Sequence, residues 1–492
     1  MRIAVFNVSS RFSSDGSRLI SALLKRDGHQ VTGIHLARVE PIPYDNEELE
    51  MLGEILRGTD LVMISIQSTF AFRAVQITEF VHRKFPGLKV IRGGPHCISA
   101  PELSIPYADG VCFSEGDETV VELARKMEAG EEYFNIPNMA FRRNGEVIKN
   151  SVLPPFSDLD GLPFCDYETE NLFLLDKGLF PITKDLLRLR FVGYPYYIPS
   201  LFVLTARGCP YNCSYCNNAR YITLFKSNKL RFQSAERAVA ELEYTLNKLD
   251  FVEFVGLGDD DFFARSEREI EEFSAKYKKP VGLPFMIAGS ANAFTRKKME
   301  ILLDAGLKVI QMGVQSGSER VLHDVYNRRI KLSRIKEAID VIAPYKESND
   351  LDLLVDFIID NPYETKDDIV ETYRFILDLP PKVKLNILTL AFFPGTPIYE
   401  RALQDRFIQP FSYDSFRLFT RSRIGYQNNY EMFLVLLARY LRHNAVRTGL
   451  LMRLAGTRLV RLLASLIPAS VIAYLSKAVQ KGMGRPLEPK KQ

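Results

Sequence analysis

The sequence predicts an α/β fold: a doubly wound parallel sheet, then a partial (β/α)6, TIM-like barrel, then a helical carboxyl-terminal tail. Three observations predict it. Short apolar runs alternate with segments of helical periodicity over about the first 130 residues. The same alternation resumes six times between about 200 and 400, with Gly, Asp, Ser or Cys clustered after the strands. The last sixty or so residues carry apolar and Arg positions at helical spacing. Strands that alternate with helices pair in parallel, because each helix returns the chain across the sheet.

A chain of 492 residues has room for two or three cores. The expected parts are 1–135 (doubly wound domain), 136–199 (hairpin and connector), 200–410 (partial barrel) and 411–492 (basic, apolar, helical region). An apolar fraction of 46% and a charged fraction of 25% are those of an ordinary soluble protein. Six Cys in this length do not make a disulfide framework, and MRIAVFNVSS lacks a signal-peptide pattern. A reducing cytoplasm is therefore the expected compartment. The formal charge of +4 hides an asymmetry: from Glu431 onward eleven Lys/Arg face two Asp/Glu, so the tail is about +9 and the rest about −5.

In the first domain the strands are RIAVFN, QVTGIHL, DLVMISI, LKVIRGG and DGVCFSE, with helices over 47–57, 71–85 and 118–127. Doubly wound sheets bind ligands beyond the carboxyl ends of their strands. Those ends carry Ser65, Ser68 and Thr69, then Gly93, Gly94 and His96, then Glu115 and Gly116. Small residues there let backbone approach a large flat or phosphate-bearing ligand. No G-x-G-x-x-G follows the first strand, which disfavours a dinucleotide. His96 is read equally as a cofactor contact or as a loop histidine bonded to backbone. Cys97, Cys112 and Cys165 read as small, partly buried residues. NMAFRRNGEVI reads as a hairpin around its Asn-Gly turn. A Pro-rich connector follows, and 167–199 is aromatic-rich and irregular, suiting a lid, a substrate wall or a packed linker.

The barrel strands are SLFVLTA, FVEFVGLG, LPFMIAGS, LKVIQMGV, LDLLVDFII and KLNILTLAF; the helices lie over 233–249, 266–278, 296–305, 333–343 and 366–379, with one more beginning near Thr396. Chemistry in such folds sits on the loops after the strands. After the first strand comes ARGCPYNCSYCNN, with Cys209, Cys213 and Cys216 at Cys-x3-Cys-x2-Cys spacing and Tyr215 before the last thiol. Three thiolates so close in sequence can converge on one metal centre, and Gly208, Pro210, Asn212 and Asn217 supply the turns. A closed zinc site wants four ligands, and no fourth lies nearby in sequence. A [4Fe-4S] cluster on three Cys keeps one iron free for another ligand. A zinc knuckle with a distant fourth ligand, or thiols clustered without function, are the other readings.

This triad with its aromatic residue resembles the signature of the radical S-adenosylmethionine (SAM) superfamily. The S-x-Q-S-T turn, the GGPH loop, the EGDE turn, the hairpin and the connector are similar to the cobalamin (B12)-binding domain that precedes many radical SAM cores. The resemblance covers about residues 1–400. It implies a [4Fe-4S] cluster on Cys209, Cys213 and Cys216 that cleaves SAM reductively, giving a 5′-deoxyadenosyl radical that removes an unactivated hydrogen from substrate. It implies a cofactor role for Tyr215, and for Asp259 and Asp260, which match the family's D-D-x-F with Phe262 and would accept hydrogen bonds from the ammonium of SAM. A solvated acidic loop is the structural alternative. Gln315 stands where many relatives have Glu beside the SAM ribose, and Ser316 is the next candidate there. Gly395 in FFPGTPIYE is read beside the adenine, or equally as a structural turn. IIDNPYETKDD replaces the more usual Gly-Leu-Pro-Gly-Glu, so contacts from that strand do not carry over. The Asp-x-His-x-x-Gly motif of other cobalamin proteins is missing, so no histidine from it would hold cobalt.

Among such relatives cobalamin delivers a methyl group to the substrate radical, while others close or contract rings, as the anaerobic porphyrin-ester cyclase does. Methyl transfer to an unknown substrate is the favoured expectation, with a ferredoxin or flavodoxin as reducing partner and no nucleic acid; a non-catalytic iron–sulfur or cobalamin-responsive protein is the rival class. In the tail, Arg residues interrupt every long apolar run, and the longest uncharged run, 462–476, contains Pro468 and is short for a membrane span. A basic amphipathic helix on an anionic membrane surface, fitting a lipid-like substrate, and a helical cap on the barrel are the two readings.

Overall fold

The computed structural model describes residues 1–9, 12, 15–36, 38 and 42–413, with isolated positions between 431 and 457. Its first sheet has nine strands: β1 (Arg2–Val8), β2 (Gln30–His35), β3 (Leu61–Ile66), β4 (Lys89–Gly93), β5 (Gly110–Cys112), β6 (Met139–Arg143), β7 (Glu146–Lys149), β8 (Leu172–Leu175) and β9 (Leu179–Pro181). Their spatial order is β7-β6-β5-β4-β3-β1-β2-β8-β9. All five expected strands are present and pair in parallel. β1 is buried from Ile3 to Val8 because both its faces are covered. Ile3 and Val5 pack with Leu24 and Leu123 of the helices Asp15–Arg26 and Thr119–Ala129, while Ala4 and Phe6 pack with Ala74 and Ile77 of Ala71–Lys84. The strand order reverses at β1, which has β2 on one side and β3 on the other. That reversal opens a crevice at the carboxyl ends of β1 and β3.

The hairpin β6–β7 turns on Asn144 (φ 52°) and Gly145 (φ 85°), the left-handed pair that a two-residue turn requires. The segment 167–199 is more regular than expected. β8 joins the sheet beside β2, β9 folds back on β8 through a turn at Lys177 (φ 57°), and the helix Lys184–Arg190 is capped by Thr183. Strands of three or four residues carry too little periodicity to be read. Their stability comes from a partner strand some 140 residues earlier in the chain.

The second sheet has the order β10 (Val192–Gly193), β11 (Ile198–Val203), β14 (Phe254–Leu257), β15 (Phe285–Gly289), β16 (Leu307–Gln315), β17 (Asp352–Ile359) and β18 (Lys384–Thr389). β11 to β18 are the six expected parallel strands, curled into a half-barrel. Between β11 and β14 a separate two-stranded ladder joins β12 (Ala206–Arg207) to β13 (Arg231–Phe232). The crossover helices Ala235–Lys248, Glu267–Tyr277, Arg296–Asp304 and Lys366–Leu377 begin where Ser234, Ser266, Thr295 and Thr365 cap them, as the polar helix starts predict, whereas Leu332–Ile342 follows Lys331 without a side-chain cap. Alternate strand residues such as Val355, Phe357 and Ile359 pack outward against those helices in one large core. Met432, Leu434, Val435 and Ala438 are buried in the same core, so the first described positions of the tail cover the barrel. The rest of the expected amphipathic helix lies outside the described residues. Among those described, no helix is long and apolar enough to cross a membrane.

Candidate active site at the cysteine loop

The loop after β11 is fixed at both ends before any metal is considered. At its start, Asp259 accepts from Thr205 N (2.6 Å), Thr205 Oγ1 (2.7 Å) and Ala206 N (2.8 Å), and its charge is matched by Arg265 Nη1 at 2.8 Å. Further on, Ser214 N donates to Tyr326 O (2.8 Å), Ser214 Oγ to Val325 O (2.6 Å), and Asn327 Nδ2 to Asn212 O (2.8 Å). Ile398 N reaches Ser214 O at 3.0 Å. A loop this heavily bonded holds its three thiols in place without a bound ion.

Cys216 Sγ receives a hydrogen bond from Asn218 N (3.5 Å) and Cys213 Sγ one from Arg328 Nη1 (3.7 Å). Arg328 is anchored by Nη2 on Gly313 O (2.7 Å), and its buried Nε has no hydrogen-bond partner among the described residues. Burial pushes the Cys209 thiol up to about 12 and the Cys216 thiol up to about 11, with the Asp260 carboxylate adding to both. Such thiols stay neutral near pH 7 unless a cation draws the thiolate out. Among the described residues no trio of His, Cys, Asp or Glu is arranged for a single metal ion. Three soft sulfur donors on one rigid loop, one facing a guanidinium, fit an iron–sulfur cluster.

Beside the loop lies a cavity of about 680 Å³ with walls from both sheets. Ser65, Gly93, Gly94, Glu115 and Gly116 close it from the carboxyl ends of the first sheet, and Cys209, Cys216 and Asp260 from the half-barrel. Gly94 is required there: its φ is 89°, and a Cβ would stand 2.8 Å from Ile66 N. Two bidentate pairs brace the seam. Arg231 binds Glu115 (2.7 and 2.8 Å) and Arg207 binds Asp117 (2.7 and 2.8 Å), so the ladder β12–β13 is bolted to the strand ends of the first sheet. The Glu115 carboxylate is committed to this brace and to Phe156 N (2.8 Å).

Other predicted site residues lie off the cavity wall. Ser68 Oγ and His96 Nδ1 are 3.0 Å apart and both residues are buried; the His96 ring packs against Phe411 and Tyr413 and does not line the cavity. Burial holds the ring's pKa down, to about 4. Thr69 is half-buried on the same turn, Ser68–Phe70. Tyr215 packs edge-on against Tyr326, 5.0 Å away between ring centroids. Asp259 is spent on the loop, while Asp260 faces the thiols with its carboxyl held above the usual range by burial. Gln315 sits at a register shift with φ 72°. Ser316 is buried and bonded to Thr372 Oγ1 (3.2 Å) and Ser318 N (3.1 Å). Gly395 has φ 81°, and a Cβ there would overlap the Ser99 carbonyl oxygen, so it is a docking point between the two sheets' domains.

The sequence reading missed Arg328, the brace residues Arg207, Asp117 and Arg231, and the carboxylate of Asp261. Asp261 Oδ1 accepts from Ser290 N (3.0 Å), its buried Oδ2 has no partner within hydrogen-bond geometry among the described residues, and burial pushes its pKa up to about 6 against the opposing pull of Ser290 N, Arg328 and Tyr211. Arg207 and Asp117 lie inside the motifs ARGCP and EGDE, but their contact spans 90 residues and leaves no local pattern.

The parallel half-barrel with three thiols on the loop after its first strand is the arrangement that the resemblance to the radical SAM superfamily implies. Residues 203–376 match the family model described as Radical SAM superfamily, and the chain carries a radical SAM domain. It is 25% identical over 359 residues to an uncharacterized methyltransferase of Pyrococcus horikoshii, a match covering 71% of this chain and 70% of that protein. It is 24% identical over 348 residues to the anaerobic magnesium-protoporphyrin IX monomethyl ester cyclase of Cereibacter sphaeroides, covering 67% of this chain and only about half, 52%, of the cyclase. Among solved structures, the radical SAM methyltransferase TsrM of Kitasatospora setae, with cobalamin and a [4Fe-4S] cluster bound, superposes with a TM-score of 0.66 at 16% identity. That likeness covers 82% of this chain and 78% of TsrM, and establishes a shared fold.

Proposed function

We propose that this chain is a cobalamin-dependent radical SAM enzyme that methylates an unactivated carbon. The observation that carries the reading is the shared cavity, where the strand ends of a doubly wound sheet and two cysteines of the triad face one space. Its walls fit a corrinoid: Gly93, Gly94 and Gly116 offer flat backbone, and among the described residues no histidine lines it. That wall agrees with the missing Asp-x-His-x-x-Gly motif. When bound, the [4Fe-4S] cluster supplies the electron that cleaves SAM to a 5′-deoxyadenosyl radical, and cobalamin supplies the methyl group.

The protein's own residues bind, orient and exclude water. Cys209, Cys213 and Cys216 would hold the cluster. Asp260, on the cavity wall, would accept from the ammonium of SAM, and Asp261 and Arg328, whose Nε has no hydrogen-bond partner among the described residues, are the next candidates. The brace of Arg207 and Arg231 keeps the two cofactor walls at fixed separation. The described start of the tail supports the cap reading over membrane contact, and the reducing partner is of the ferredoxin or flavodoxin class.

Anaerobic reconstitution with iron, sulfide, cobalamin, SAM and a strong reductant tests the reading. The expected outcome is 5′-deoxyadenosine formation that Cys213→Ala abolishes, together with a retained corrinoid spectrum. The similarity to the cyclase favours a second reading, ring closure without methyl transfer. S-adenosylhomocysteine formed along with 5′-deoxyadenosine marks methylation; its absence during substrate turnover marks ring closure. No cluster and no 5′-deoxyadenosine would refute both.

A further inference from the structure

The chain carries no Asp or Glu from 186 to 235, a run that holds seven Lys and Arg, and none from 325 to 336, which holds five. Residues 1–430 as a whole carry about −5, so these two runs are islands of the opposite sign. The fold brings one loop of each to the same place. Asn228 Nδ2 donates to Pro210 O (3.2 Å) and Asn327 Nδ2 to Asn212 O (2.8 Å), so loops 226–229 and 327–331 grip the turn 210–212 at both ends. The first loop also packs on Gly208, where a Cβ would stand 3.3 Å from Lys229 O. That turn joins Cys209 to Cys213. Asn212 is exposed, and Pro210 and Tyr211 are half-buried, so the turn that reaches solvent is bounded by two of the three prospective cluster ligands.

Several basic side chains of the two runs are already committed. Arg207 and Arg231 brace Asp117 and Glu115; Arg334 pairs with Glu337 (2.9 Å) and Lys336 with Asp340 (2.7 Å); Arg328 is spent on Cys213 and Gly313. Lys226, Lys229, Arg329 and Lys331 are different. All four are exposed, and among the described residues none of them forms an ion pair. Four positive charges, set against exposed Glu319 and Asp324 nearby in the chain, still leave +2. Lys229 also reaches the rim of the cavity, while the other three lie off its wall. Exposed cations gathered at one place attract an acidic surface and repel a basic one, which sets both the rate and the orientation of an encounter.

We propose that Lys226, Lys229, Arg329 and Lys331, around the turn 210–212, form the docking surface for an acidic one-electron carrier of the ferredoxin class. One electron leaves the carrier's reduced iron–sulfur centre and passes through the turn to the cluster held by Cys209, Cys213 and Cys216. The carrier is oxidised by one electron, the cluster is reduced by one, and no bond or proton moves. The inference rests on the radical SAM reading for the cluster that the electron reaches. Electron-transfer contacts are small, below about 1,200 Å², and steered by charge, so four exposed cations around a short turn give enough footing.

The probe is an acidic plant-type [2Fe–2S] ferredoxin, titrated calorimetrically in its oxidised form into the anaerobic, cluster-loaded full chain. Lys226→Glu and Arg329→Glu in one chain should weaken binding at least tenfold at low salt, and raising salt from about 50 to 300 mM should do the same to wild type. Lys279→Glu, an exposed position before β15 at the opposite end of the barrel, should change it less than twofold. Carbodiimide should cross-link ferredoxin carboxylates to Lys226, Lys229 or Lys331. With reduced ferredoxin as sole reductant the double variant should lose most 5′-deoxyadenosine formation, yet match wild type with dithionite. Iron content and the thermal transition report whether it is folded; if it is not, Lys331→Glu and the cross-links decide. Binding that ignores the charge reversals, cross-links confined to the basic tail, or flavodoxin docking here where ferredoxin does not, overturns the proposal. No 5′-deoxyadenosine from wild type with dithionite, with charge-dependent docking intact, would instead overturn the enzyme reading alone.

Discussion

Asp259 is the residue whose role changes most between sequence and structure, and its substitution gives the sharpest test. With 1% of its surface exposed, it accepts three hydrogen bonds from Thr205 and Ala206 and pairs with the buried Arg265. Asp259→Asn keeps the volume but removes the charge. The amide can accept at one position only, so a backbone N–H or the Thr205 hydroxyl faces an NH2 group and Arg265 is left without its counter-ion. Breaking one side of a buried ion pair costs about 3–5 kcal/mol. With about 2–4 °C per kcal/mol for a domain of this size, the barrel's thermal transition should fall by roughly 6–20 °C.

Circular dichroism of the metal-free protein, followed anaerobically, checks this, and iron per chain after reconstitution checks the consequence for the loop. Asp260→Asn is the control, because that carboxylate faces the cavity and releases burial strain when neutralised. It should leave the transition in place or raise it. If Asp259→Asn unfolds within a degree or two of wild type, the carboxylate is not holding the loop, and its assignment as a ligand for SAM returns.

Three further outcomes are expected. His96 is neutral in the fold, its pKa held at about 4 against an ordinary 6.5, so the unfolded chain takes up the proton first as pH falls. Stability should therefore drop between about pH 6.5 and 4 by roughly 3 kcal/mol at most, and urea titrations of His96→Phe should show a flatter pH dependence in that window. Gly395→Ala places a Cβ against Ser99 O at φ 81°; a loss of about 2 kcal/mol and faster proteolysis between the domains are expected, whereas wild-type behaviour would mean the contact yields freely. Arg231→Met removes the bidentate partner of Glu115, leaving it Phe156 N and Arg207 Nη1 at 3.7 Å, and should cost about 3 kcal/mol, of which Glu115→Gln in the same chain should recover at least half; simple additivity of the two would rule out the brace.

Both sheets were legible because their strands are short, apolar and spaced by helices with polar caps, and both kinds of signal are local. The cysteine triad was legible for the same reason, since its three thiols lie within eight residues. What escaped was set by distant pairing. β8 depends on β2, Arg207 on Asp117, and Gly395 on Ser99, and none of these contacts leaves a periodicity in the chain.

The run Asp259-Asp260-Asp261 shows why residue type alone could not sort the site. The three side chains are chemically identical and adjacent, yet the strand end sends each to a different environment. Asp259 turns back onto the loop and meets Arg265; Asp260 faces the thiols and the cavity; Asp261 meets Ser290 N and leaves one buried oxygen without a hydrogen-bond partner among the described residues. Their protonation follows from those partners, with the pKa of Asp260 and Asp261 raised by burial. Two carboxylates whose charge burial disfavours, beside a third locked in a salt bridge, would gain a partner from an arriving cation without the loop itself coming apart.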